Sequence, residues 1–425
     1  MRRVEPVAAL TGVVRVPGDK SASHRALMLS ALAAGESTIE GLSPGLDVAA
    51  TSQIMIQLGA QREDVAGVVH VSGPASGLRA SESSLQCGNS GTTMRLVSGI
   101  VSSIEGEHRL EGDDSLSRRP MDRIAVPLDL MGSRVTGEGV RVTPPLTIHG
   151  SRNLRGIDYR VPTPSAQVKS AILLAGLAAQ GDTIVHEALR TRTNTEDMLR
   201  LAGVQVTSTN VHAGRHVVIS PGRPLARAWR VPTDPSQAAF FCVLGLIHDQ
   251  ADVEVIDVDD APERTGFLSV LSRMGADLTL TPGTSGVTIR ARSSQLRATE
   301  IHASQIPSVD EAPVLTVAAA AASGVSAFRD MGELRLKESD RFEGSMTLAR
   351  LLGCRVWSEG DDYFVEGVGG ASAFNPFVIN AGLDHRIVMS SAVAGLAGRG
   401  CDIDGADTVS SSYPGFFEDL ASLRR

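Results

Sequence analysis

The chain has 425 residues, 42% hydrophobic and 21% charged, with a net charge of −8. That length exceeds what one hydrophobic core fills, so two domains are expected. The composition excludes a disordered chain or a disulfide scaffold, and the acidic balance disfavours nucleic acid as a partner. The longest apolar run, near residues 312–322, falls well short of the roughly 20 residues that cross a bilayer, so no membrane partner is expected. Met1 to Pro6 lacks the apolar stretch of a secretory signal, which predicts a cytoplasmic protein. Cys87, Cys242, Cys354 and Cys401 have no metal-ligand or disulfide spacing and read as buried thiols. Only Lys20, Lys169 and Lys337 are lysines, leaving 37 of the 40 basic residues as arginine. A position that keeps lysine against such a bias is a candidate for chemistry that needs a compact or proton-transferring amine.

Six alanine-rich apolar segments recur along the chain, at 25–35, 94–106, 170–181, 237–249, 312–324 and 386–398. A second landmark keeps the same beat. Gly59, Gly132, Gly203, Gly275 and Gly353, separated by 73, 71, 72 and 78 residues, each stand where a helix stops and a strand begins. The period predicts six α/β units, each reading as strand, apolar helix, strand, amphipathic helix, strand. The proline-rich stretch 221–235 is the expected crossover between domains, and Val13 to Val16 is expected to pair with the C-terminal half. The predicted domains are residues 1–19 plus 231–425, and residues 20–230.

Polar motifs stand at the starts of helices. Pro17-Gly18-Asp19-Lys20-Ser21-Ala22-Ser23-His24-Arg25 offers backbone donors and two cations to an anion, without P-loop spacing. Cys87-Gly88-Asn89-Ser90-Gly91-Thr92-Thr93-Met94-Arg95 is a small-residue turn that lets backbone approach a ligand closely. A structural turn would explain either motif as well. Gly112-Asp113-Asp114-Ser115-Leu116-Ser117-Arg118-Arg119-Pro120 places paired arginines before a proline expected at the first helical position. Ser165 is expected to cap a helix with Gln167 in its first turn. Ser308-Val309-Asp310-Glu311-Ala312-Pro313, Glu333 to Arg341 and Asp384-His385-Arg386 are charged clusters that helix capping and Glu333–Lys337 pairing could account for. If the repeats pack symmetrically, Lys20, Arg25, Arg119, Lys337, Arg341 and Arg386 converge against few carboxylates, as suits a small, multiply anionic substrate.

At these residues the sequence resembles the 5-enolpyruvylshikimate-3-phosphate (EPSP) synthase family, in the branch carrying PGDKSxSHR, GNSGTTxR, SAQxKS, KESDR and DHR, across essentially the whole chain. The resemblance implies an α/β fold of two similar inverse α/β barrel domains, each of three repeated α/β units. It implies a monomeric enzyme of the shikimate pathway that needs neither cofactor nor metal. Such an enzyme transfers the enolpyruvyl group of phosphoenolpyruvate to the 5-hydroxyl of shikimate 3-phosphate and is inhibited by glyphosate in competition with phosphoenolpyruvate. Lys20, Gly91, Thr92, Arg119, Gln167, Arg341 and Arg386 would serve phosphoenolpyruvate. Ser21, Arg25, Ser165, Gln167, Arg192, Asp310 and Lys337 would serve shikimate 3-phosphate. Asp310 would be the base and Glu338, assisted by Lys20, the acid.

The branch usually reads Arg-Asp-His-Thr-Glu where this chain has Arg192-Thr193-Asn194-Thr195-Glu196, which leaves open transfer to a specialised acceptor. A UDP-N-acetylglucosamine acceptor is disfavoured, because relatives using it carry a reactive cysteine before the Arg-Pro pair and residues 111–119 contain none. A non-catalytic binding paralogue would be expected to lose Lys20, Asp310 or Glu338, and all three are present.

Overall fold

A computed structural model describes residues 1–211, 214–283, 286–306 and 309–424. The chain divides into two compact units, Asp19–Val231 and Met1–Gly18 together with Pro232–Arg425, each with its own hydrophobic core. Helices alternate in character along both. The first unit holds α1 (Lys20–Leu32), α2 (Leu46–Gln57), α3 (Gly91–Val101), α4 (Asp122–Met131), α5 (Ala166–Gly176) and α6 (Asn194–Leu201). The second holds α7 (Pro235–Ile247), α8 (Gly266–Arg273), α9 (Ala312–Ala321), α10 (Arg341–Leu351), α11 (His385–Ala397) and α12 (Phe416–Ser422).

The odd-numbered helices are the alanine-rich ones. Every residue of α7, α9 and α11 is buried, as are residues 22–31 of α1. A helix apolar on all faces must lie inside its domain, and these do. They begin up to five residues before the apolar segments, because their first turns are polar, as in Lys20-Ser21 and Gly91-Thr92. The sheets cover them, with strands such as Gly214–Ile219 alternating buried and half-buried residues. No helix among the described residues is long and apolar enough to cross a membrane.

Each complete repeat carries one strand more than the periodicity suggested. In the third, Asp158–Arg160 lies parallel to Thr183–Glu187, which is antiparallel to Gly214–Ile219, itself hairpinned to Val206–Val211. The hairpin strand escapes sequence reading because Val206–Val211 is mostly exposed and polar, so only its partner shows alternation. Two repeats borrow their first strand from elsewhere in the chain. Ala228–Arg230 runs parallel to Gly35–Glu40, and Leu10–Val14 runs parallel to Ala251–Val258. The sixth sheet has three strands, with Arg2–Val4 antiparallel to Cys401–Asp404.

Gly59, Gly132, Gly203, Gly275 and Gly353 all have positive φ, between +80° and +110°, as a helix C-terminus turning left-handed requires. Pro120 is not the first residue of a helix. It stands in the loop between the 3₁₀ turn Leu116–Arg118 and α4, which starts at Asp122.

Helices α3 and α5 meet backbone to backbone. A Cβ on Gly99 would lie 2.2 Å from the carbonyl oxygen of Ala171, so only glycine permits that approach. Gly99→Ala is expected to destabilise the protein by about 1–3 kcal/mol, seen as a lower denaturant midpoint at unchanged slope. Gly222, where an added methyl would meet nothing within 4 Å and φ is not positive, is the control. Gly222→Ala should be neutral or raise stability by up to about 1 kcal/mol.

Candidate active site

In the unit Asp19–Val231, polar side chains gather where α1, α3 and α5 begin. Asp19 caps α1 by accepting from Ala22 N at 2.6 Å, which sets Lys20 on the first turn. The Lys20 Nζ lies 3.1 Å from Asp47 Oδ2, in the first turn of α2. Arg25, one turn further along α1, is buried and donates to three oxygens. They are Ser21 O at 2.8 Å, Ser170 Oγ of α5 at 2.8 Å and Thr195 Oγ1 of α6 at 2.6 Å. Arg192 reaches back to Ser21 Oγ at 3.2 Å.

Ser90 caps α3, accepting from Thr93 N at 3.1 Å, and so places Gly91 and Thr92 in its first turn. Gln167 bridges this turn, donating to Thr92 Oγ1 at 2.9 Å and accepting from Arg95 Nη1 at 2.7 Å. Ser165 caps α5 two residues before Gln167, as expected. Arg119 donates to Asn89 Oδ1 at 2.7 Å and to Ser115 Oγ at 3.0 Å, and Asn89 in turn donates to Asp113 at 2.6 Å. A methyl on Gly91 would meet the guanidinium tips of Arg95 at 2.7 Å and Arg119 at 3.2 Å. The turn therefore lies against two cations.

The second cluster lies in the other unit, around Arg341, the first residue of α10. Arg341 is 1% exposed, and its guanidinium contacts Asp384 Oδ2 at 2.8 Å, Asp310 Oδ1 at 3.0 Å and Glu338 Oε2 at 2.5 Å. Burial pulls its pKa down, but Asp384, Glu338 and Asp310 together outweigh burial and hold it above the usual arginine value. Lys337 stands 3.7 Å from Asp310 and 3.2 Å from Glu333, the latter pair formed at the end of a 3₁₀ turn, not within an α-helix. Arg386 donates to the Asp310 main-chain oxygen at 3.1 Å. Asp310 thus meets Lys337, Arg341 and Arg386.

The expectation of cations against few carboxylates is corrected here. In this cluster Lys337, Arg341 and Arg386 meet Asp310, Glu333, Glu338 and Asp384, because a buried guanidinium needs counter-charge. The other cluster fits the expectation better, holding Arg25, Arg95 and Arg119 through hydroxyl, amide and carbonyl oxygens. Ser308 lies outside the described residues. Asp47, Asn89, Arg95, Thr195 and Asp384 were not among the predicted site residues. Four of them stand in quoted motifs without a separate signal, and Asp47 reads only as an acid in a first helical turn.

The architecture is a known one. The enolpyruvyl transferase NikO from Streptomyces tendae superposes with a TM-score of 0.77 over 99% of this chain and 96% of that one, and at 18% identity the likeness concerns the fold alone. EPSP synthase from Acinetobacter baumannii gives a TM-score of 0.85 at 38% identity, over 99% of this chain and 98% of that one. The family model EPSP synthase (3-phosphoshikimate 1-carboxyvinyltransferase) matches residues 4–420. Sequences named 3-phosphoshikimate 1-carboxyvinyltransferase are similar at full length. That of Nitrobacter hamburgensis is 43% identical over 98% of this chain and 95% of its own, and that of Streptococcus sanguinis is 38% identical over 98% of both. The chain belongs to the EPSP synthase family.

His24 is fully buried beside Lys20 and Arg25, with Nδ1 2.7 Å from Thr51 Oγ1. Burial first, then the charges of Lys20 and Arg25, holds its pKa well below the ordinary 6.5. The folded protein keeps His24 neutral while the unfolded chain protonates it, so stability should fall as pH drops below about 6.5. His24→Gln is expected to flatten the pH dependence of unfolding free energy between about pH 7 and 5 by up to one proton. An unchanged slope would mean that His24 takes up its proton in the folded state.

Proposed function

We propose that the protein transfers the enolpyruvyl group of phosphoenolpyruvate to the 5-hydroxyl of shikimate 3-phosphate and releases inorganic phosphate. The observation that carries this reading is the sharing of Arg341 by Asp310 and Glu338, two carboxylates at one guanidinium with different company. Asp310 also meets Lys337 and Arg386, which suits a base beside an anionic substrate. In the reaction Asp310 takes the proton of the attacking hydroxyl, whose oxygen bonds to C2 of phosphoenolpyruvate. Glu338, with Lys20, delivers a proton to C3, giving a tetrahedral intermediate. Loss of phosphate and of a methyl proton then restores the enol ether.

Lys20, Gly91, Thr92, Arg119, Gln167, Arg341 and Arg386 are assigned to phosphoenolpyruvate on this reading. Ser21, Arg25, Ser165, Gln167, Arg192, Asp310 and Lys337 are assigned to shikimate 3-phosphate. Fixed cations around a departing phosphate stabilise the charge that develops on it. Thr193 and Asn194, where the branch usually differs, leave Arg192 on Ser21 and Thr195 on Arg25, which supports shikimate 3-phosphate as acceptor.

The test is phosphate release from phosphoenolpyruvate with shikimate 3-phosphate, set beside other hydroxylated acceptors. Release only with another acceptor would overturn the assignment. Lys20→Arg is expected to lower kcat by about 100-fold or more at nearly unchanged melting temperature, since a guanidinium neither gives up a proton nor fits as a point charge. A near-normal rate would remove Lys20 from the proton transfer. Gly91→Ala should displace the tips of Arg95 and Arg119, raising the inhibition constant for glyphosate more than the KM for phosphoenolpyruvate. Equal losses for the two ligands would place Gly91 away from the part of the site that tells them apart.

A further inference from the structure

Lys169 is the lysine that the proposed reaction leaves without a task. It sits on α5, fully buried, with Nζ 2.9 Å from Glu187 Oε2 and 2.7 Å from Glu196 Oε1. Glu187 ends the strand Thr183–Glu187, and Glu196 stands in the first turn of α6 with Arg215 Nη1 3.8 Å away. Residues 188–193 join that strand to that helix. The ammonium therefore ties both ends of one connecting segment. From inside the segment, the hydroxyl of Thr191 donates to the second oxygen of Glu187. The residues so held are the ones that meet α1, Arg192 on Ser21 Oγ and Thr195 on Arg25 Nε.

We infer that Lys169, Glu187, Glu196 and Thr191 form a buried clamp whose task is to position Arg192 and Thr195 for the acceptor's phosphate. The inference rests on the reading of Ser21, Arg25 and Arg192 as acceptor-binding residues. Buried ion pairs contribute little net stability, and this one joins the two ends of a segment. A compact ammonium with three rotatable donors can meet both carboxylates, which approach it from different elements. These are positioning residues, touching no reacting atom.

Lys169→Met would leave two buried carboxylates without their cation and is expected to unfold the protein, so Thr191 gives the informative variants. In the full-length protein Thr191→Val removes one hydroxyl and leaves every charge of the clamp in place. Its KM for shikimate 3-phosphate should rise about tenfold, the order of one hydrogen bond to a charged group, with the KM for phosphoenolpyruvate and the melting temperature close to natural. Thr191→Ser should restore the natural KM. A natural KM for shikimate 3-phosphate in Thr191→Val, or equal rises for both substrates that track a fall in melting temperature, would overturn the clamp while leaving the function standing. Absence of phosphate release by the natural protein with this substrate pair would instead overturn the functional reading beneath it.

Discussion

Three segments of the unit completed by Pro232–Arg425 meet on the guanidinium of Arg341. Asp310 arrives just before α9, Glu338 just before α10, and Asp384 as the cap of α11. The Asp384 carboxylate works in two directions. Its Oδ1 accepts from Arg386 N at 2.9 Å, which starts α11, and its Oδ2 accepts from Ser339 Oγ at 2.8 Å as well as from Arg341. Glu311, at the start of α9, accepts from Ser236 of α7, so that helix is tied to the same set. Removing one partner from such a buried cluster leaves a charge uncompensated, at a cost of about 3–5 kcal/mol. The starts of α9, α10 and α11 are thus mutually dependent, and the carboxylates assigned to the chemistry double as counter-charge for the fold.

The unit Asp19–Val231 solves the same problem differently. There the starts of α1, α3 and α5 are joined by hydroxyls and an amide. Ser170 and Thr195 hold Arg25, Gln167 joins Thr92 to Arg95, and Thr93 Oγ1 lies 3.2 Å from the main-chain oxygen of Asp47, which pairs with Lys20. Neutral oxygens satisfy a guanidinium's donors without cancelling its charge. One repeat architecture therefore yields a cluster built around carboxylates on a buried arginine in one unit, and one in which hydroxyl and amide oxygens hold Arg25, Arg95 and Arg119 in the other. The difference lies in the residue types placed at equivalent helix starts.

Much of this was legible in the sequence, for identifiable reasons. The buried helices showed because alanine-rich segments carry no polar face to hide, and the repeat showed because each left-handed turn after a helix needs glycine at Gly59, Gly132, Gly203, Gly275 and Gly353. The fourth strand of each complete repeat did not show, since exposed polar strands such as Val206–Val211 owe their structure to a partner. Within the site, local capping was readable at Ser165 and Asp384, whose partners lie two or three residues away. Pairings across elements were not. Lys20 with Asp47, separated by 27 positions, and Arg25 with Thr195, separated by 170, become neighbours only once helices pack.

The scarcity of lysine, 3 residues among 40 basic ones, marks geometry before it marks chemistry. Lys337 and Lys169 each stand between two carboxylates approaching from separate positions, Glu333 and Asp310 for one, Glu187 and Glu196 for the other. A compact ammonium with three rotatable donors serves such pairs, as the fully buried guanidinium of Arg341 serves Asp310, Glu338 and Asp384. Lys20 is the informative case. Its ammonium pairs with Asp47 at 3.1 Å, and a guanidinium fork also serves a carboxylate. Its replacement by arginine, not by a neutral residue, is what separates a fixed charge from a moving proton.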